Sequence, residues 1–509
     1  MTRIDKSKKN IKYGLGFQAV YLIGTFFIRI ILLKYAGLTA VSINALITEI
    51  VVVLSVADLG VWAAMSYSLY KPLAEKNERQ IAAVMGAFRK TYFVIGAVII
   101  TLGLALFPLM PRLLKNIEVS KGYFFAAYTL ALLGVGLPYF FSYNKALIDA
   151  DQKNYVLAKA GAVIRVAMFG VEFAAILLTK ELLVYLTLEL IYQLAYFGAS
   201  AYIVRNRYPY IRESVPLSKD EKKAIFTNVR RMFVGRVANK VLNSTDNILI
   251  SSIVGTLMVG IYSQYSMFIN GFLRIFSQVN EAITGSIGNM LATESNDYCR
   301  RTFRNITYIF FVGSAFVSGC FFAGINPFLT GVIGKEFTLE QAVLLVVVFN
   351  VFAEIIKMPL WTFYTANGLF QEDQVISLIG CLVNIIISVV WGRKYGIIGI
   401  FAGTQVSLLI MLIYKAIHIY KTSFRGKWYE GILMFAAYYG IFSVIIAASV
   451  WFCRYTEGLN DILQFLVNCI FTGTVSLLVT IVPFINTEEF RYGLKVLMPA
   501  SAPGKEGSV

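Results

Sequence analysis

Fourteen apolar runs recur along the chain, each roughly the 20 residues that cross ~30 Å of hydrocarbon as an α-helix. They cover 12–34, 41–63, 91–110, 122–143, 156–178, 181–203, 232–254, 257–280, 306–325, 340–364, 375–392, 396–417, 432–452 and 463–484. The pattern predicts an all-α polytopic membrane protein. Lys and Arg concentrate in alternate connections: five before Tyr13, five between Ala64 and Lys90, and eight between Arg205 and Arg231. The opposite set is sparse, holding mainly Arg112, Lys115, Lys121, Lys180, Lys335, Arg393, Lys394 and Arg454. This asymmetry places both termini in the cytoplasm, along with connections 64–90, 144–155, 204–231, 281–305, 365–374 and 418–431.

The longest inner connection, RNRYPYIRESVPLSKDEKK, is broken by Pro209 and Pro216, and Ser218 to Glu221 form a capping-box start for the next helix. It divides the chain into 1–204 (segments one to six), a linker 205–225, 226–425 (segments seven to twelve), 426–490 (segments thirteen and fourteen) and a tail 491–509. The end of that tail, PASAPGKEGSV, has the composition of a disordered segment.

Segment seven departs from the apolar rule. Within RRMFVGRVANKVLNSTDNILIS, at about 100° per residue, Arg236, Asn239, Lys240, Asn243 and Asn247 share one sector, with Asp246 and Ser244 at its edges. A charge near a bilayer centre costs roughly 3 kcal/mol, so such a stripe faces a water-filled cavity, a polar ligand or a polar seam with a neighbouring helix. Two cations point to an anionic ligand. Arg236 is close enough to the helix end to snorkel, whereas Lys240 lies two turns further in.

A shift of 218 places Gly37-x-x-x-Val41-x-Ile43 on Gly255-x-x-x-Val259-x-Ile261 and Leu73-Ala74 on Leu291-Ala292. A shift of 221 places Pro138, Tyr143 and Asp151 on Pro359, Tyr364 and Glu372. These matches predict a duplicated six-helix unit, and an even helix count makes the copies parallel. The first shift also carries Arg236, Asn239, Asn243 and Asn247 onto Gln18, Tyr21, Thr25 and Arg29, which share a face of segment one. Matching polar faces are what a cavity shared by two lobes requires.

Composition narrows the function. The chain of 509 residues is 58% hydrophobic and 15% charged, with a mean hydropathy of +0.68. Its formal charge of +17 follows membrane topology, and no nucleic-acid partner is expected. Five cysteines without paired spacing and a single histidine, His418, predict neither a disulfide framework nor a metal site, and no cofactor motif occurs. The basic N-terminus leads into an apolar run without a cleavage signal, so it reads as a retained first helix.

The residues RIILLKYAGLTAVS at the end of segment one, SVADLG closing segment two, and STDNILISSIVGTLMVGIYS across segments seven and eight carry a family resemblance. With its 6+6+2 arrangement, the chain resembles the polysaccharide-transporter branch of the MOP (multidrug/oligosaccharidyl-lipid/polysaccharide) flippase superfamily. The resemblance implies two pseudo-symmetric six-helix lobes around a central cavity plus two C-terminal helices. It implies alternating access and a bacterial cytoplasmic membrane location. The implied substrate is undecaprenyl-pyrophosphate-linked oligosaccharide, and the other implied partners are membrane lipids, a polysaccharide polymerase and assembly proteins. In the related lipid II flippases, cavity arginines on helix one bind pyrophosphate. Arg29, eight residues before Gly37, is the position that matches them best.

Other polar positions have two readings. Arg29 either faces the cavity, with Gln18, Tyr21 and Thr25, or snorkels to the outer interface. Asn44, Thr48, Ser55 and Asp58 share a face of segment two, and Asn270, Arg274, Ser277 and Glu281 a face of segment eight. Each is a cavity wall or a solvated helix end. Arg165 and Glu172, seven apart, and Glu354 and Lys357, three apart, are spaced to face one another as structural pairs or as a coupling-ion site. Two motifs carry no chemistry here, and a third is absent. Asp149-Ala150-Asp151 has no nucleotide-binding βαβ context, Asn243-Ser244-Thr245 lies inside a predicted span, and no P-loop occurs. The expectation is a transporter and not an enzyme. The rivals are a multidrug cation exporter of the same superfamily, which the basic stripe and the last two segments oppose, and a membrane-embedded polymerase, which would need a sizeable outer loop. A scaffold for the assembly machinery leaves the polar faces unexplained.

Overall fold

The computed structural model describes residues 3–55, 61–115, 119–151, 153–213, 216–217 and 245–497. Among these no strand occurs, and the chain falls into two compact units, Met1–Ser263 and Gln264–Val509. Among the described residues, eleven helices are long and apolar enough to cross a membrane. One of them has its polarity inverted relative to a helix of a soluble bundle. The helix Asp461–Ile481 buries Asn468, Thr472, Ser476 and Thr480 and exposes Leu466, Ile470 and Leu478. That distribution suits a hydrocarbon solvent, where small polar residues are the adhesive between helices. The protein is a multi-pass, all-α membrane protein.

The first unit contains α1 (Arg3–Leu54), α2 (Val61–Ala74), α3 (Glu78–Leu106), α4 (Lys121–Gly136), α5 (Tyr139–Ala150), α6 (Asn154–Thr179), α7 (Leu182–Arg207), α8 (Thr245–Val254) and the start of α9 (Thr256–Thr293). The second contains the rest of α9, then α10 (Asn296–Ile333), α11 (Gln341–Ile356), α12 (Met358–Ala366), α13 (Phe370–Tyr395), α14 (Ile397–Thr422), α15 (Trp428–Cys453), α16 (Asp461–Ile481) and α17 (Glu488–Leu497).

Each predicted apolar segment has helical backbone among the described residues, but several connections are shorter than predicted. The connection placed at 64–90 is mostly α2 and the first turns of α3, and that placed at 281–305 shrinks to a turn between α9 and α10. Polar helix ends run beyond the apolar core because an intrahelical hydrogen bond satisfies the backbone on either side of the interface. Side-chain caps then stop them: Asn77 accepts from the Gln80 amide at 3.0 Å, and Ser295 accepts from the Tyr298 amide at 3.3 Å. The amphipathic α17 has no counterpart in the apolar pattern. It lies against α10, where Arg304 pairs with Glu489 at 2.7 Å.

The positions matched by the internal offset adopt matching backbone. Gly37 interrupts α1 at φ 87°, ψ 170°, and Gly255 separates α8 from α9 at φ 149°, ψ 149°. Both conformations are ones that a Cβ disfavours. Pro138 falls at the break between α4 and α5, and Pro359 at the break between α11 and α12. The matched tyrosines sit alike too. Tyr143 accepts a hydrogen bond from Arg205 of α7 at 3.2 Å, and Tyr364 shares one with His418 of α14 at 2.9 Å.

In the second unit α13 and α14 form a close antiparallel pair: Ser388 donates to the Ile400 carbonyl at 2.9 Å and Asn384 to Thr404 at 2.9 Å. Gly399 permits the approach, since a Cβ there would lie 2.1 Å from the Trp391 carbonyl oxygen, whereas one on Gly440 of α15 would meet nothing within 4 Å. The two glycines therefore give opposite expectations. Gly399→Ala forces the helices apart and lowers thermal stability by an overpacking cost of about 1–3 kcal/mol. Gly440→Ala leaves stability unchanged or raises it through helix propensity, by up to about 1 kcal/mol. Melting of the detergent-solubilised variants, followed by intrinsic fluorescence, distinguishes them.

Candidate functional sites within the two units

Helix α1 presents Tyr21, Thr25 and Arg29 four residues apart, hence on one face. Arg29 Nη2 donates to Ser263 Oγ, which in turn donates to the Gly260 carbonyl at 2.6 Å. Ser263 is buried in the first turns of α9, so the guanidinium points into the first unit and is not stretched along lipid. Thr25 Oγ1 is buried with no protein partner among the described residues. Asn247 on α8 donates to Glu49 Oε1 at 3.0 Å, and its own Oδ1 is likewise without a described partner. Tyr262 lies within electrostatic reach of Asp246 and Glu49. Glu49 was not singled out in the sequence because it stands off the polar face of segment two. The side chain of Gln18, and the whole of Asp58, Arg236, Asn239, Lys240 and Asn243, lie outside the described residues.

Tyr21 leads to a second, fully charged cluster. Its ring is 5.6 Å from the guanidinium of Arg165, which is 1% exposed and packed over Phe169 at 4.1 Å and Tyr192 at 4.4 Å. Arg165 Nη1 donates to Glu172 Oε1 at 3.1 Å, and Nη2 donates to Glu189 Oε1 at 2.7 Å. Tyr185 donates to the same Glu189 oxygen at 3.3 Å. One guanidinium thus serves two carboxylates, and π-faces cover it where water is excluded. Glu189 was missed because it sits on α7, a different helix from Arg165 and Glu172, and helical spacing shows only partners on the same helix. Its signal was a carboxylate inside an apolar run.

The second unit has its own charged cluster. Lys415 of α14 is 0% exposed, pairs with Asp373 of α13, and holds its ammonium 3.6 Å from the Trp361 ring centre. The same ring lies 5.3 Å from Lys357, which is bonded to Glu354 at 2.5 Å. Trp361 is therefore flanked by two ammonium groups, each held by a carboxylate. Sequence reasoning found Glu354 and Lys357 and passed over Lys415 and Asp373, whose partner is 42 residues distant. Arg274 is exposed on α9 and takes part in no ion pair among the described residues. No group of three metal-binding side chains forms among the described residues, and the five cysteines are free thiols.

Neither a protein-family model nor a curated protein matches the sequence. Solved structures do match the fold. A lipid II flippase, MurJ, in an inward closed conformation superposes with a TM-score of 0.68 at 14% identity, covering 91% of this chain and 98% of its own. An inward-facing multidrug-resistance MATE-family transporter of the MOP superfamily gives a TM-score of 0.65 at 12% identity, covering 80% and 96%. A MOP-superfamily transporter of Pyrococcus furiosus, described as having a binding pocket of reversed polarity, gives 0.58 at 11% identity, covering 83% and 97%. The fold is that of MOP-superfamily transporters.

Proposed function

We propose that this protein is a flippase that carries undecaprenyl-pyrophosphate-linked oligosaccharide repeat units across the bacterial cytoplasmic membrane, by alternating access, for cell-surface polysaccharide synthesis. The observation that carries this reading is the extent of the structural match. The lipid II flippase accounts for 91% of the chain and the multidrug transporter for 80%. That broader match supports the flippase over the multidrug exporter as the nearer functional analogy.

The charge pattern supports the same reading. Arg29 supplies a planar fork suited to phosphate oxygens, and Arg236 and Lys240 add cations on the segment that the internal repeat pairs with α1. Gln18, Thr25, Asn239, Asn243 and Asn247 supply neutral donors and acceptors for the pyrophosphate and the first sugar. The polyprenyl chain stays in lipid, so no apolar tunnel through the protein is needed. The role is transport and not catalysis, with a polysaccharide polymerase and assembly proteins acting on the delivered unit.

Depletion of the protein is expected to accumulate the lipid-linked oligosaccharide on the inner leaflet. In proteoliposomes, purified protein should expose a fluorescent lipid-linked oligosaccharide to an external lectin. Export of organic cations with no lectin-accessible product would sink this proposal in favour of the exporter. Arg29→Ala should lower the initial flipping rate about tenfold to a hundredfold, the range expected for losing a hydrogen bond to a charged group, with Arg29→Lys between it and wild type. Lys240→Ala should impair transport more than Arg236→Ala at matched protein levels, because solvent replaces a charge near the interface more readily.

A further inference from the structure

The first unit contains a cleft of about 900 Å³ bounded by α3, α5, α7 and the 3₁₀ turn Pro209–Arg212. It belongs to none of the clusters above. Arg89, Lys90, Arg205 and Arg212 line it together with one carboxylate, Glu213, so four cations against one anion leave a formal charge of +3. None of the four is ion-paired among the described residues. Two are held in place by neutral partners: Arg205 donates to the Tyr143 hydroxyl at 3.2 Å, and Arg212 donates to Asn206 Oδ1 at 3.3 Å. Each bond uses one of a guanidinium's five donors, and positions the fork without neutralising it.

Position decides which anion such a cleft takes. Arg89 and Lys90 stand where the charged start of α3 gives way to its apolar part, and Arg205 is in the last turn of α7. Both belong to the membrane end that the Lys and Arg asymmetry assigns to the cytoplasm. The cleft wall continues into Val94 at its rim, and Val94, Val98 and Leu102 form an exposed apolar strip that runs along α3 one turn at a time. A soluble phosphate would use the basic floor and leave the strip idle. An amphiphile uses both, with its phosphate among the cations and its chain along α3.

We propose that this cleft binds the phosphate headgroup of an anionic membrane lipid, with a hydrocarbon chain lying on the Val94–Val98–Leu102 strip. The recognised group is a phosphodiester or pyrophosphate ester, which a membrane phospholipid and the polyprenyl substrate both carry. A bound phospholipid would tie α3 to α7 through Arg89, Lys90 and Arg205, much as the Tyr143–Arg205 bond ties α5 to α7 directly.

The test uses the full-length protein in nanodiscs and detergent, with phosphatidylglycerol, phosphatidylcholine, a short-chain polyprenyl pyrophosphate and inorganic pyrophosphate as the probes. Native mass spectrometry should retain phosphatidylglycerol on the wild type, and titration should show at least a fivefold preference over phosphatidylcholine. Arg89→Gln with Lys90→Gln, both at exposed positions, should weaken that binding about tenfold without altering the melting temperature in lipid-free detergent, in line with the contribution of basic residues at an anionic surface. Val98→Asn should weaken lipid binding while leaving the Arg and Lys set intact. Binding of phosphatidylglycerol equal to phosphatidylcholine, or unchanged by the charge variant, overturns the proposal. Inorganic pyrophosphate competing as well as the lipids would reassign the cleft to a soluble anion. Polyprenyl pyrophosphate displacing phosphatidylglycerol at the same residues would identify the lipid as substrate, within the proposal.

Discussion

Arg165→Ala is expected to lower the folding stability of the first unit by about 3–5 kcal/mol, among the largest effects of any single side chain described. Arg165 and Glu172 have side chains 2% and 0% exposed, and Glu189 is 23% exposed. Removing the guanidinium leaves two carboxylates facing each other with little water, and it empties the space between the rings of Phe169 and Tyr192. Each loss alone is costly, and they act together. Arg165→Lys should rescue only part, because an ammonium cannot bond two carboxylates in a fork or stack flat on two rings. Replacing all three charges, as Arg165→Leu, Glu172→Gln and Glu189→Gln, should restore most of the stability, since the net worth of a buried ion cluster is small once no member is orphaned. The measurement is the melting temperature and monodisperse fraction in detergent for the single and triple variants. An Arg165→Ala protein that melts with the wild type would show that water already solvates the carboxylates.

What the sequence could reveal depended on how local the interaction is. The break in α1 was readable because a glycine at φ 87° is a one-residue requirement, and its repetition at Gly255 made it readable twice. The interruptions at Pro138 and Pro359 are equally local, yet the apolar pattern ran through both as continuous segments 122–143 and 340–364, because hydropathy does not register a helix break inside an apolar run. Arg165 with Glu172 and Glu354 with Lys357 were readable as pairs because spacings of seven and three return to the same helix face. Glu189 and the Lys415–Asp373 pair were not, since a helical wheel carries no information about which other helix is adjacent. Segment seven shows the opposite case. Its stripe is evident in sequence, yet of its members only Asn247 and the flanking Asp246 fall within the described residues. The fold's connections were read too long because hydropathy reports where lipid ends, whereas backbone hydrogen bonding decides where a helix ends.

Membrane potential alone is expected to drive the proposed transport cycle. A pyrophosphate bound to the protein brings negative charge across the membrane, and each uncompensated elementary charge is worth about 2.3 kcal/mol per 100 mV. With the interior negative, the field favours outward movement of the anion. It also favours the return of an empty carrier whose Arg29, Arg236 and Lys240 are no longer neutralised. Coupling to H⁺ or Na⁺ would instead need a carboxylate free to bind the ion and release it. Among the described residues Glu172 is bonded to Arg165 and Glu354 to Lys357, so each holds its cation already. Within these charged clusters Glu189 is the carboxylate to watch. It shares Arg165 with Glu172, which leaves the cluster one positive charge short, and its side chain is the most exposed of the three. Proteoliposomes with an imposed K⁺-diffusion potential, inside negative and without an H⁺ or Na⁺ gradient, should flip the lipid-linked oligosaccharide faster than unpolarised vesicles, and collapsing the potential with valinomycin at equal K⁺ should remove the gain. Glu189→Gln should leave this dependence intact. Transport that ignores the potential, follows a proton gradient and is lost in Glu189→Gln would make the Arg165 cluster a proton carrier and overturn the prediction.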